Sequence, residues 1–182
     1  MPLTRRAFLA AFSLAAFRPV PVVADGERFS LVTHTGRRVS DLDLRGRPYA
    51  LFFGFTHCPE ICPTALFELS QVLGELGSEA DELKVFFVTV DPERDTRDLI
   101  ATYLSSFDPR IVGLRGSPDE TARAAGAFKA TYRKVETEGS YTMEHTALVF
   151  LIDADGRYFD RIDYRAPHEE QVARFRRLLV AR

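Results

Sequence analysis

The stretch Tyr49-Ala50-Leu51-Phe52-Phe53-Gly54-Phe55, continued by Thr56-His57-Cys58-Pro59-Glu60-Ile61-Cys62-Pro63-Thr64, decides how this chain is read. Residues 49–55 are mostly apolar and rich in β-formers, the pattern of a strand buried on both faces. From Pro63 to Leu76 the apolar positions Leu66, Leu69, Leu73 and Leu76 recur at helical spacing, with Pro63 suited to a first helical position. Both cysteines of the protein thus fall at a strand-to-helix junction, at i and i+4. Thiols so spaced lie on one side of a helical turn, close enough to share a metal ion or to oxidise to each other. The helix N-terminus favours thiolate, the form that binds soft metals and attacks disulfides. An inert local disulfide is the plain alternative. So short a loop gains little chain-entropy stabilisation, and a position directly after a core strand favours a working site.

Outward from the junction, strands and helices alternate. Arg28–Thr33 and Arg37–Val39 read as two short strands around the turn His34-Thr35-Gly36. Lys84–Val90 is a second buried strand, Ala147–Ile152 a third, and Arg157–Tyr164 an alternating strand after the turn Asp153-Ala154-Asp155-Gly156. Helices are expected over Thr96–Phe107, Pro118–Lys129 and His168–Val180, the first two capped by Asp95 and Ser117. This order predicts an α/β fold of thioredoxin type: a central mixed sheet flanked by helices, with an N-terminal β-hairpin extension.

The chain has 182 residues, 46% apolar and 27% charged, enough for one domain with a real core. Its net charge of −2 gives a nucleic-acid partner no support, and two cysteines exclude a disulfide scaffold. Residues 1–24 differ from the rest. They hold Arg5, Arg6 and Arg18 but no acid, and Ala7–Phe17 is apolar apart from one Ser, too short a run to span a bilayer. With Val22-Val23-Ala24 before Asp25, the segment reads as an export signal cleaved near Ala24, and Thr4-Arg5-Arg6-Ala7-Phe8-Leu9 resembles a twin-arginine signal. An uncleaved anchor is the alternative. Residues 25–182 are expected to form a single domain, periplasmic or on the extracytoplasmic face of the membrane, where disulfides persist.

Four histidines and a carboxylate cluster complete the candidates. His34 and His168 are expected to be solvated, and His57 adjoins Cys58 but should point away from it. His145, just before strand 147–152, stands where a loop can face the thiols. Asp91-Pro92-Glu93-Arg94-Asp95-Thr96 follows strand 84–90, beyond the carboxyl end of which ligands gather in open α/β sheets; Asp95 is read as a helix cap.

Three motifs together resemble the Sco/SenC family: Phe53–Thr64 with its CxxxC, Val90-Asp91-Pro92-Glu93-Arg94-Asp95-Thr96, and His145-Thr146 before a strand. The likeness covers nearly all of residues 26–180, and the motifs occur in the family's order. It implies a thioredoxin-like metallochaperone that binds one copper ion per chain, as Cu(I) or Cu(II), through Cys58, Cys62 and His145. It further implies that Asp91 lies behind the ligands or faces a partner. The implied partners are the copper-bearing subunit of cytochrome c oxidase, whose binuclear copper site is supplied with metal or has its thiols matured, and other copper chaperones; no stable oligomer is expected. Many relatives carry a membrane anchor or lipid attachment, and neither is read here, so a soluble exported form is expected. Glu60 stands where an Asp is common in the family.

Two other classes compete. A thiol–disulfide oxidoreductase would use Cys58 as nucleophile and Cys62 as resolving thiol. Oxidoreductases of this fold carry CxxC facing a cis-proline, whereas three residues intervene here and His145 occupies the segment where that proline would lie. A thiol peroxidase has less support, because the Thr56-x-Cys58 spacing departs from the peroxidatic turn.

Overall fold

The computed structural model describes residues 28–181. The expected export signal, residues 1–24, lies outside them. In chain order the elements are β1 (Ser30–Thr33), β2 (Arg38–Ser40), β3 (Tyr49–Gly54), α1 (Ile61–Leu76), β4 (Lys84–Thr89) and α2 (Arg97–Leu104). They continue with β5 (Ile111–Arg115), α3 (Pro118–Ala127), β6 (Tyr132–Thr137), β7 (Ser140–His145), β8 (Leu148–Ile152), β9 (Tyr158–Asp163) and α4 (His168–Val180). Seven strands form one sheet in the order β2-β1-β5-β4-β3-β8-β9, and β6 pairs only with β7.

The sheet is mixed and the arrangement thioredoxin-like, as the alternation of elements predicts. The parallel core β5-β4-β3 continues antiparallel into β8 and β9 on one side and β1 on the other. All six residues of β3 and five of six in β4 are buried, so these strands show no polar alternation. On one face Phe52 stacks against Phe87, and the buried side of α1 (Cys62, Leu66, Leu69, Leu73) covers this layer, with α4 against α1. On the other face Phe29, Tyr49, Phe53, Phe86, Phe128 and Phe150 form a continuous cluster of ring contacts. The N-terminal hairpin β1–β2 joins the main sheet through antiparallel pairing of β1 with β5.

Most element ends shift by one to three residues from the expectations, and three strands, β5, β6 and β7, are additional. Helix α1 starts at Ile61, which places Pro63 third; the first-turn N–H groups have no intrahelical partner, so proline is tolerated there too. Helix α2 ends at Leu104, short of Phe107, and its cap is Thr96, whose hydroxyl accepts from the Leu99 N–H. Asp95 is therefore not the cap. Strand β5 carries Gly113, which weakens its strand signal, yet a Cβ there would come within 2.1 Å of Ile100 Cγ2, so the close approach of α2 requires it. The ribbon β6–β7 is mostly polar and lacks a core-strand pattern. Its readable marks are the two-residue turn Glu138-Gly139 and the inward alternation Tyr141, Met143, His145.

Candidate metal centre

Strand β3 ends at Gly54 beneath the start of α1. A Cβ at Gly54 would lie 2.9 Å from Cys62 Sγ and 2.6 Å from Phe87 Cε2, so glycine leaves the space that the inner thiol fills. The loop beyond it is held by Asp95, which is fully buried. Its carboxylate accepts from the Thr56 N–H at 3.0 Å, from the Thr56 hydroxyl at 2.6 Å and from the Thr89 hydroxyl. The parallel pairing of β3 with β4 brings these two strand ends together, and thereby joins the cysteine loop to the Asp91–Thr96 segment.

Cys58 and Cys62 are both buried with free thiols. The Cys62 N–H, in the first turn of α1, donates to Cys58 Sγ at 3.4 Å. The Cys62 thiol and the Glu60 N–H also donate to that sulfur and, with His145 beside it, hold its pKa down to about 4, against the opposing effect of burial. Cys62 moves the other way. Donation to Cys58 and complete burial push its thiol well above the ordinary range.

His145 ends β7 and places Nε2 3.4 Å from Cys62 Sγ. Its Nδ1 lies 3.2 Å from the Thr146 carbonyl oxygen, to which it donates, which leaves Nε2 as the nitrogen with a free lone pair. Phe52 and Phe55 meet the imidazole edge to face, with centroids 6.0 and 5.8 Å away. One donor atom from each of Cys58, Cys62 and His145 lies within 4.8 Å of the others. Two sulfurs and an imidazole suit a soft ion, and three protein donors leave room for a further ligand. An open groove of about 480 Å³ leads to this group between Pro59, Ile61 and Met143.

The other sequence candidates sit elsewhere. Asp91 is buried, accepting from the Tyr141 hydroxyl at 2.9 Å and from Arg94 Nε, and contributes no atom to the cluster. His57 is half-exposed, its Nδ1 3.1 Å from Thr56 Oγ1 and 3.7 Å from Asp95, also outside the cluster. His34 is not simply solvated: its Nδ1 accepts from the Gly113 N–H at 3.0 Å and ties the first hairpin to β5. His168 remains partly exposed but lies 2.8 Å from Glu75 on α1. Gly54, Asp95, Arg94 and Tyr141 also shape the site, each through contacts between segments distant in sequence. Arg94 and Asp95 carry a local mark in the Asp91–Thr96 motif and Gly54 in the Phe53–Thr64 motif, whereas Tyr141 has none.

The family model described as SCO1/SenC matches residues 22–180. The human "Protein SCO1 homolog, mitochondrial" is 41% identical over 140 residues, covering 74% of this chain and 46% of its own length. The zebrafish (Danio rerio) "Protein SCO2 homolog, mitochondrial" is 37% identical over 149 residues, covering 80% of this chain and 53% of its own length. The chain spans about half the length of these curated relatives. Among solved structures, Bradyrhizobium japonicum ScoI with copper bound is 45% identical, with a TM-score of 0.78 over 84% of this chain and 98% of that one. Yeast Sco1 with copper bound is 30% identical, with a TM-score of 0.71 over 83% of this chain and 87% of that one.

Proposed function

This chain belongs to the SCO1/SenC family, and from that premise we propose that it is a copper chaperone, holding one copper ion through Cys58, Cys62 and His145. Its recipient would be the copper-bearing subunit of cytochrome c oxidase, by metal delivery or by maturation of that site's thiols, with other copper chaperones as further partners. The observation that carries this reading is the convergence of three soft or borderline donors within 4.8 Å, brought from two segments far apart in sequence. The copper-bound relatives support the choice of metal.

Copper in this site would supply a soft Lewis acid bound by thiolate and imidazole. Cys58 enters as thiolate, while Cys62 must give up its proton on loading, so metal uptake releases protons. His145 offers Nε2 in a fixed tautomer because Thr146 holds Nδ1–H. No helix among the described residues is long and apolar enough to cross a membrane. Residues 1–24 would direct export and place the domain on the extracytoplasmic side of a membrane.

Copper titration of the reduced protein beside His145→Ala tests this. One copper per chain, with a thiolate-to-Cu(II) charge-transfer band that shifts or disappears in the variant, is the expected result. Weak binding unchanged by the substitution overturns it.

The opposed protonation of the two thiols favours a second use of the same pair, thiol–disulfide exchange. The Cys58 thiolate would attack a substrate disulfide and release one substrate thiol; deprotonated Cys62 would then attack the mixed disulfide, forming the Cys58–Cys62 bond and freeing the second. Accumulation of a Cys58 mixed disulfide in Cys62→Ser is expected for this chemistry, and its absence with a protein disulfide substrate removes it.

A further inference from the structure

His145 is carried by the ribbon β6–β7, which shares no strand pairing with the main sheet. Beyond its two-residue link to β8, the ribbon is therefore held in place by side-chain contacts. The contacts converge on Arg94, in the loop after β4. Its Nε donates to Asp91, its Nη1 donates to the Tyr141 carbonyl at 2.9 Å, and its guanidinium carbon sits 3.7 Å from the Tyr141 ring centroid. The Tyr141 hydroxyl donates to the other oxygen of Asp91 at 2.9 Å, which closes a three-residue cycle between the loop and the ribbon. The same guanidinium lies 5.9 Å from the ring centroid of Phe55, whose ring stands perpendicular to His145 in a T-shaped contact.

Tyr141 and His145 share one face of β7, four residues apart, so the tie is made about 13 Å along the strand from the imidazole. At the outer edge Lys134 pairs with Glu93 at 2.7 Å and lies over the same Tyr141 ring. The latter pair is exposed and contributes little by itself. The Arg94–Asp91 pair is different: Asp91 is buried, and Arg94 is one-fifth exposed with Nη2 buried and unpaired by any hydrogen bond. A buried guanidinium left partly unsatisfied is expensive for stability alone.

We infer that Arg94, clamped between Asp91 and Tyr141, is a positioning residue that fixes the β6–β7 ribbon and so sets His145 at the thiol pair. The inference rests on the reading that Cys58, Cys62 and His145 hold copper. It adds a second set of residues, none touching the metal, on which affinity depends. Arginine is needed because a single planar group donates in two directions while stacking on a ring; lysine offers a point charge without that plane.

The test compares wild type, Arg94→Gln and the milder Tyr141→Phe, each with and without His145→Ala, in the full chain. Copper affinity is measured by competition with a chelator, and amide hydrogen exchange is followed without metal. In the His145 background, Arg94→Gln should weaken copper about ten- to a hundred-fold and shift the charge-transfer band. In the His145→Ala background it should change affinity less than two-fold. Without copper, amides of residues 132–145 should exchange faster in Arg94→Gln while those of β3 and β4 keep their protection. Equal loss of affinity in both backgrounds overturns the inference, as does unchanged exchange of the ribbon. Should Arg94→Gln lose its fold, Tyr141→Phe decides on the same two readouts. If wild type binds no copper, the chaperone reading fails while the exchange data still show whether Arg94 fixes the ribbon.

Discussion

His145 Nε2 lies 3.4 Å from Cys62 Sγ although 83 residues separate the two in the chain. The thiol comes from the start of α1 and the imidazole from the end of β7, so the donor group exists only in the folded protein. Metal that binds the native state alone stabilises it by mass action, by about 2.7 kcal/mol at a hundredfold excess over Kd. Urea unfolding with and without copper should therefore show a large rise in midpoint for wild type. His145→Ala should show a much smaller one, since its thiols four residues apart remain near each other in the unfolded chain.

Gly54→Ala is expected to damage both stability and the site. The added methyl would meet Phe87 Cε2 at 2.6 Å, Cys62 Sγ at 2.9 Å and Phe52 Cε1 at 3.2 Å, all in a packed interior. Overpacking of this kind costs about 1–3 kcal/mol. Equilibrium unfolding measures the loss, and the charge-transfer band of the copper form should shift because the displaced sulfur is a donor. An unchanged midpoint would mean that β3 yields without strain.

Asp95 should matter to the fold more than its place before a helix implies. Removing its carboxylate leaves the Thr56 N–H and two hydroxyls without their acceptor in a buried position. Asp95→Ala is expected to lower stability by about 3 kcal/mol and Asp95→Asn by less, since the amide keeps one acceptor oxygen. Loss of stability confined to a few tenths of a kcal/mol in both variants would contradict this role.

The opposed thiol shifts set a pH dependence for the reduced, metal-free protein. Cys58 titrates at about 4 when folded against an ordinary 9.0, so the unfolded chain binds more protons there between those values. Its contribution to stability therefore grows as pH rises from about 4 to 9.0 and is fully present above; it is lost on acidification to about 4. Cys62 has a raised value, so its contribution is present below the ordinary thiol range and declines as pH rises beyond it. Alkylation of Cys58 by iodoacetamide should stay nearly flat from pH 8 to pH 5, where an ordinary thiol would slow about tenfold per pH unit. A steep fall below pH 8 would refute the thiolate assignment.

Lys129 has φ +55° just past Phe128, the C-cap of α3, where the Ala130 N–H bonds back to the Ala125 carbonyl. This left-handed helix end favours glycine. Lys129→Gly is expected to raise stability by about 1 kcal/mol, a rise in Tm of about 2–4 °C by calorimetry, with copper affinity unchanged. A lower Tm would show that the Lys129 side chain contributes packing that outweighs the backbone strain.

Much of this architecture was legible because it is local. A buried apolar run, helical spacing after Pro63 and the cap Ser117 act within a turn or two, and the structure realises each. The strand β5 was not, since Gly113 breaks its pattern for the sake of a helix packed across it. Nor was the ribbon β6–β7, whose polar residues follow no core period and whose inward face has only three members.

The sequence by itself determined the reactive junction. Two thiols at i and i+4, a strand before them and a helix N-terminus around them are all short-range facts, and so is the Cys62 N–H that meets Cys58 Sγ. Tertiary structure alone decided which histidine joins them and what the acids do. His57, the neighbour in sequence, sits outside the cluster, while His145 arrives on a separate ribbon; Asp95 leaves the helix it precedes to hold the cysteine loop, and Asp91 turns to Arg94 and Tyr141. The physical reason is the parallel pairing of β3 with β4, which sets two loops side by side at one end of the sheet. Proximity of that kind comes from loop closure and packing over the whole domain, and residue spacing does not encode it.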